Sequence, residues 1–172
     1  MANYCVIRTD LMSGTKQPAD LLSVRIYDGE GNKIAAENGL IVKVGELEEG
    51  EREVHKATLA TSEDNIDECA ILAGVEMMYE SWKRSLADYI NVAGKAVRAY
   101  IPRSRNAFSV TAEGFVGGAV PAVGDTVGIG ANGKIAAGGT GLGFVEAIEK
   151  AGMFTFYVIR IKKDAESDDG NG

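Results

Sequence analysis

Short runs in which apolar and polar residues alternate recur along most of the chain, with Gly, Asn and Pro between them. A period of two is typical of strands with one buried face, and turn residues separate one strand from the next. The alternation predicts strands over residues 4–8, 21–27, 40–44, 54–60, 71–79, 95–101, 108–112, 125–129, 134–136, 142–148 and 153–161. The last two are predicted to form a hairpin around Lys150, Ala151 and Gly152.

One segment, residues 81–93, has the signals of a helix. Ser81 is suited to cap it, Trp82, Leu86 and Ile90 share one face, and Gly94 stands where a helix ends. Residues 71–79 show the clearest alternation and are interpreted as a strand. A helical period also fits the apolar residues of that region, which are Ile66, Ala70, Ala73 and Met77.

The spacing of these runs predicts a mostly-β fold, a Gly-rich barrel or sandwich with one short α-helix. With 22 Gly and only 3 Pro, the chain has the composition of a protein with many tight turns. Gly is concentrated in the second half, which suggests two subdomains. We predict a β-rich subdomain over residues 1–102, a Gly-rich β subdomain over 103–161 and a disordered acidic tail over 162–172.

Charge and cysteine content narrow the classes of function. A formal net charge of −7 argues against binding to a nucleic-acid backbone, which requires clustered Lys and Arg. Cys5 and Cys69 have no second Cys or His at metal-ligand spacing, so we expect small buried residues in a reducing compartment. The N-terminus lacks the features of a signal peptide, and no run reaches the roughly 20 apolar residues of a membrane helix. These features predict a cytoplasmic protein that does not bind membranes.

The segment from Gly128 to Lys134 matches two nucleotide-binding patterns, G-x-G-x-x-G and G-x-x-x-x-G-K. Both chemistries need a helix directly after the glycines, so that its first amides meet the phosphate. Here Gly138 and Gly139 follow closely, and Ile135 stands where a magnesium-binding Ser or Thr would be. The better interpretation is a hairpin with a primed turn at Asn132 and Gly133.

Other candidate chemistry is equally weak, and we predict no catalytic, cofactor or metal site. His55, the only histidine, lies in an alternating segment as an exposed strand residue would. The serines lack the context of a nucleophile elbow. The acidic clusters are typical of a solvated surface, and they lack the central Gly of a calcium-binding loop.

The charges are segregated along the chain. Residues 37–80 contain twelve acidic and three basic residues, whereas residues 83–105 contain six basic residues and one acidic residue, Asp88. Two interpretations stay open. The two segments either pair with each other inside the fold, which is the blander alternative, or they serve in docking to a partner or in self-association.

Much of the chain, from about residue 40 to residue 161, resembles small proteins encoded beside the major capsid gene in tailed bacteriophages and prophages of Gram-positive bacteria. The similarity is carried by the segments 76–80, 86–100, 108–115, 123–127, 143–148 and 157–161. The resemblance implies a decoration or head-stabilising protein, without any catalytic residue to carry over. Its expected location is the outside of the virion capsid.

This resemblance, together with the charge segregation, leads to a set of expected partners. The major capsid protein is the expected partner, and the chain itself is expected to be monomeric or weakly trimeric. The expected contact residues are Arg98, Arg103 and Arg105, or Lys16 in the N-terminal arm. Two alternatives remain, namely another virion component, such as a shell subunit, connector or tail protein, and an enzyme of unrecognised type.

Overall fold

The computed structural model describes residues 3–9, 12, 20–76 and 86–162. Ten strands lie within these ranges, and they form two sheets. The first five are β1 (Leu21–Tyr27), β2 (Ile41–Leu47), β3 (Val54–Leu59), β4 (Cys69–Leu72) and β5 (Val97–Tyr100). The other five are β6 (Ala107–Val110), β7 (Thr126–Ile129), β8 (Ile135–Ala137), β9 (Gly141–Ala151) and β10 (Phe154–Ile161).

The first five strands close into a barrel in the order β1-β3-β2-β4-β5. β1 lies parallel to β3 and antiparallel to β5, so that its two neighbours complete the ring. The alternation in β1 explains its place, because Val24 and Ile26 are buried among the residues that fill the barrel. A closed barrel leaves no strand edge free to pair with a strand of another chain.

The last five strands form an open sheet in the order β6-β10-β9-β7-β8. The N-terminal segment lies beside β6 at one edge of this sheet. Ile7 forms a β-bridge with Val110, and the Arg8 amide donates to the Ser109 carbonyl at 3.0 Å. The start of the chain therefore packs against a strand of the second sheet and not against the barrel strands that follow it in sequence.

The barrel strands β2 and β4 bury side chains on both faces, and this joins the two sheets. In β2, Val42 points into the barrel, whereas Ile41 belongs to a larger cluster that includes Phe108 and Ile159 of the second sheet. Ala70 and Ile71 divide in the same way in β4. A strand buried on both faces reads as a continuous apolar run, as β4 does.

The structure confirms the predicted mostly-β fold, with a closed barrel and a second sheet. The barrel strands precede Pro102 and the strands of the second sheet follow it. Residues 4–8 depart from that division, since they lie along the second sheet. The predicted C-terminal hairpin is present as β9 and β10, antiparallel through Ala151 and Phe154.

Three predicted elements differ from the structure. Residues 4–8 form no strand, and Ile7 makes only an isolated β-bridge with Val110. The predicted strand over 71–79 is confined to β4, because residues 73–76 leave the barrel; 77–79 lie outside the described residues. Of the predicted helix over 81–93, residues 81–85 also lie outside them, and the rest is not α-helical. Leu86–Asp88 forms one turn of 3-10 helix, and Asn91 then pairs with Ala36 across the end of the barrel. This pairing replaces the helical hydrogen bonds that the apolar period predicted.

Candidate functional site

The Gly-rich motif at 128–134 forms the predicted hairpin turn. Asn132 and Gly133 have φ angles of 56° and 71°, and both central residues of a primed turn need positive φ. The Lys134 amide closes the turn by donating to the Ala131 carbonyl at 3.1 Å. β8 follows at once, so no helix N-terminus is available to hold a phosphate group.

The same turn connects the second sheet to the barrel. The Gly133 amide donates to the Ala60 carbonyl at 2.8 Å, and a Cβ at position 133 would stand only 2.4 Å from the Ile41 carbonyl oxygen. The Lys134 ammonium donates to the Glu113 carbonyl at 3.1 Å. The motif is therefore a structural joint, in which Gly permits close approach of two backbones.

Cys5 forms part of a second joint. Its thiol lies between two glycines, because a Cβ at Gly39 or Gly114 would come within 2.6 or 2.9 Å of the sulfur. Burial raises the pKa of the Cys5 thiol, and the nearby Glu37 carboxylate raises it further. Cys5 and Cys69 are both buried and free, as predicted, and a thiol held in its neutral form is a poor nucleophile.

The single histidine is not part of a reactive cluster. His55 is half-buried on β3, and its Nδ1 lies 3.1 Å from the Gly45 carbonyl oxygen. In the described ranges, no group of three or more His, Cys, Asp or Glu side chains could hold a metal ion. His55 therefore has a local structural role at the end of β2.

The structure separates the basic residues that the sequence grouped as a partner contact. Arg98 is exposed on β5, whereas Arg103 and Arg105 lie on the turn that leads from the barrel to the second sheet. Arg103 already pairs with a carboxylate inside the molecule. Its Nε donates to Asp20 at 2.6 Å, and Asp20 is only 1 % exposed. Arg105 is exposed, and Lys16 lies outside the described residues.

The acidic segment makes its ion pairs locally. Lys43 pairs with Asp64 at 2.9 Å and with Glu68 at 3.2 Å, and Arg25 of β1 pairs with Glu48. Between described residues, no ion pair links the acidic segment 37–80 to the basic segment 83–105. The partly exposed pairs of Lys43 contribute about 0–1 kcal/mol each, so they fix loops rather than decide the fold.

A buried amide network, which the sequence analysis missed, closes one end of the barrel. The Asn38 side chain accepts from the Gly74 amide at 2.8 Å and from the Asn91 side chain at 2.9 Å. The Tyr89 hydroxyl lies 3.0 Å from the Asn91 Oδ1, and burial raises the pKa of Tyr89. Burial also raises the pKa of the Glu76 carboxyl, although a hydrogen bond from Asn38 opposes this. The network satisfies polar groups of three loops at once, a structural role.

Exposed apolar side chains are concentrated on the second sheet. Of the nine large hydrophobic residues that are exposed among the described ones, five lie between positions 116 and 153. Val120 is 72 % exposed and Met153 is 83 % exposed. We name this set the apolar rim, and its members are Val116, Val120, Val123, Ile148 and Met153.

Several contacts place members of the rim relative to the β9–β10 hairpin. The Gly124 amide donates to the Val145 carbonyl at 2.8 Å, which places Val123 beside β9. Val116 lies instead beside β8 at the edge of the sheet, because a Cβ at Gly130 would stand 2.6 Å from the Val116 side chain and the neighbouring Phe115 forms a β-bridge with Ile135. Tyr157 pairs across the strands with Ile148.

A group of exposed apolar residues of this kind marks an interaction surface more often than isolated ones do. The sequence held one signal for it, because the segment 119–123 combines apolar residues with a Pro and precedes Gly124. Periodicity alone does not reveal it, since whether a valine in a loop is covered depends on the tertiary contacts of that loop. The rim is the feature of the described surface best suited to contact another protein.

Among the described residues, no helix is both long enough and apolar enough to cross a membrane.

Comparisons with known proteins found no significant match. The chain matches no protein-family model, and neither the curated proteins nor the solved structures compared with it give a significant match.

Proposed function

We propose that this protein decorates the outside of a tailed-bacteriophage capsid and stabilises the expanded shell by docking through the apolar rim. The observation that carries the proposal is the concentration of exposed apolar side chains between residues 116 and 153, of which Val123, Ile148 and Met153 lie along the β9–β10 hairpin. The resemblance of residues 40–161 to capsid-associated accessory proteins supplies the class of partner. The proposal assigns no catalytic step to the chain.

The energetics of the rim suit a protein that binds many equivalent sites. Fully burying one Val or Met side chain contributes about 1.5–3 kcal/mol, and association costs a comparable total in lost freedom and ordering. Five such residues on an already ordered scaffold therefore offset that cost and leave only weak binding at each site. A shell with many copies of the site accumulates that stabilisation without requiring high affinity at each one.

The rest of the molecule is suited to this role. The Gly133 joint and the shared core hold the second sheet on the barrel, so the rim is presented with little further ordering. The net charge of −7 opposes self-aggregation and contact with packaged DNA. These features favour a protein that is soluble alone and binds a preformed surface.

A cosedimentation assay with purified expanded shells of the major capsid protein tests the proposal. Val120→Asp and Met153→Asp each place a charge in the rim, and we expect shell occupancy to fall at least tenfold for each. Leu47→Asp is the matched control, because Leu47 is 47 % exposed on β2 and lies outside the rim. Wild-type occupancy of both rim variants would overturn the proposal.

The predicted basic contact is tested separately. Arg98→Glu and Arg105→Glu alter exposed side chains. If these residues make a charged contact, both variants should bind shells more weakly than the wild type at low salt, and their binding should recover as the salt concentration rises. Arg103 is not suited to this test, since reversing its charge would leave buried Asp20 without its cation. Unchanged occupancy for both variants would restrict the contact to the rim.

A further inference from the structure

The β9–β10 hairpin extends beyond both of its neighbours in the second sheet. β9 has 11 residues, but β7 pairs with it only between Gly141 and Phe144, and the backbone bonds of residues 124–125 reach only to Val145. On the other side, β6 pairs with β10 from Tyr157 onward. The hairpin from residue 146 to its turn is therefore two-stranded within the described sheet.

Hydrogen bonds at the base of the hairpin fix the direction of its main-chain groups. The Ile161 amide donates to the Asn106 carbonyl on the β6 side, and the Lys162 amide donates to the Leu142 carbonyl on the β9 side. Successive residues of a strand point their main-chain groups to opposite sides. The alternation therefore directs the main-chain amide and carbonyl groups of Phe154 and Phe156 toward β9.

The cross-strand register carries this direction to β9. Glu149 pairs with Phe156 and Ala151 pairs with Phe154, so both direct their main-chain groups toward β10. Ile148 and Lys150 alternate with them and direct their amide and carbonyl groups away from the hairpin. No described residue accepts from or donates to those groups.

We propose that the edge of β9 at Ile148 and Lys150 accepts an extended strand from a partner protein, by addition to the sheet. This inference rests on the proposed function, because it specifies how a partner engages the same hairpin. An incoming strand would lie in line with β7, just beyond Gly124, and would be flanked by Val123 of the rim. Main-chain bonds would provide the attachment, and side-chain pairs would select the partner.

Charge at this edge argues against a second copy of the chain as the occupant. An antiparallel pairing of two β9 edges through the outward groups of Ile148 and Lys150 can be centred on Ile148, Glu149 or Lys150. A centre on Ile148 would place Ala151 of the second copy opposite Val145, a position that Gly124 and Asp125 already occupy. A centre on Glu149 places the two Glu149 side chains directly opposite each other, and like charges so placed are destabilising. A centre on Lys150 opposes two lysines in the same way. The edge is thus guarded against self-pairing and suited to a different chain.

The same side chains define the complementary partner. An antiparallel strand would place an acidic residue opposite Lys150, a basic residue opposite Glu149 and an apolar residue opposite Ile148, in that order from its N-terminus. A synthetic peptide, acetyl-Thr-Val-Asp-Arg-Val-Thr-amide, has this order. Its control, with Asp and Arg exchanged, has the same composition.

Amide hydrogen exchange and chemical shifts of the isotope-labelled protein test the inference with these peptides. In the free protein, the Ile148 and Lys150 amides should exchange rapidly and the Glu149 and Ala151 amides slowly. The first peptide should slow exchange at Ile148 and Lys150 at least threefold and should bind at least threefold more tightly than the control. Unchanged exchange at these two amides, or equal binding of both peptides, would overturn the inference.

A variant separates this inference from the proposed function. Lys150→Pro and Lys150→Thr both remove the Lys150 side chain, but only Lys150→Pro also removes the outward amide, a loss that an edge strand tolerates. Lower shell occupancy for Lys150→Pro than for Lys150→Thr supports strand addition. If Lys150→Pro binds shells normally while Val120→Asp does not, strand addition is wrong and rim docking stands. Normal binding by both would overturn both.

Discussion

Gly133 is the residue at which the joint between the two sheets is most sensitive to substitution. An Ala at this position would place its Cβ 2.4 Å from the backbone oxygen of Ile41, which is too close for any real contact. The φ angle of +71° adds about 1 kcal/mol for a residue with a side chain. Displacing the turn also weakens the hydrogen bond from the Gly133 amide to the Ala60 carbonyl, and a bond of this kind contributes about 1 kcal/mol to stability. With the steric shift, we expect Gly133→Ala to lower the free energy of unfolding by about 3 kcal/mol.

The matched control is Gly138→Ala. Gly138 has a similar φ of +75°, but a Cβ there meets nothing within 4 Å, so only the conformational cost of about 1 kcal/mol remains. Urea unfolding monitored by circular dichroism measures both variants, and the midpoint for Gly133→Ala should be clearly the lower. Equal destabilisation of the two variants would refute the idea that this turn is a close-packed joint.

Three further predictions concern buried polar and ionisable groups. Arg103→Gln leaves the carboxylate of Asp20 buried without its cation, and we expect a loss of about 2 kcal/mol in unfolding experiments, partly recovered by adding Asp20→Asn. Because burial raises the pKa of Glu76, the native state holds that proton more tightly, and stability falls as pH rises from the ordinary carboxyl range through the raised pKa. Glu76→Gln should flatten that part of the pH dependence. Thiol reagents should label Cys5 only after unfolding, because the folded protein buries it and raises its pKa.

Each of these three predictions has an outcome that would contradict it. An Arg103→Gln variant as stable as the wild type would mean that Asp20 does not depend on its cation. An unchanged acid-range slope in Glu76→Gln would show that Glu76 does not titrate with a raised pKa. Rapid labelling of Cys5 under native conditions would show that the joint around Gly39 and Gly114 opens readily.

The β class of this fold was predictable because its signal is local. Alternation in residues 21–27 and 54–60 marks strands with one inward face, and the pair Asn132 and Gly133 marks a primed turn whatever surrounds it. The helix predicted over 81–93, whose described residues 86–93 are not α-helical, shows where local sequence signals are insufficient. Its apolar period suits a helix, yet Asn91 pairs instead with Ala36, a partner 55 residues away in sequence. Long-range pairing of this kind outweighs local propensity.

The site was less predictable than the fold. Arg103 and Arg98 looked equivalent in sequence, and only the structure shows that Arg103 neutralises a buried carboxylate. Three members of the rim are valines, Val116, Val120 and Val123, whose exposure depends on how the 115–124 loop lies on the sheet. The open edge at Ile148 exists because β7 ends sooner than β9, a difference in length between strands that no single segment encodes.

The central claim is that the rim contacts the shell, and a cryo-electron microscopy reconstruction of decorated shells tests it most directly. The account predicts added density on the outer surface in which Val120, Val123 and Met153 lie against the major capsid protein. The barrel would then be the part farther from the shell. A reconstruction in which these residues face solvent, or in which no density is added, would contradict the account.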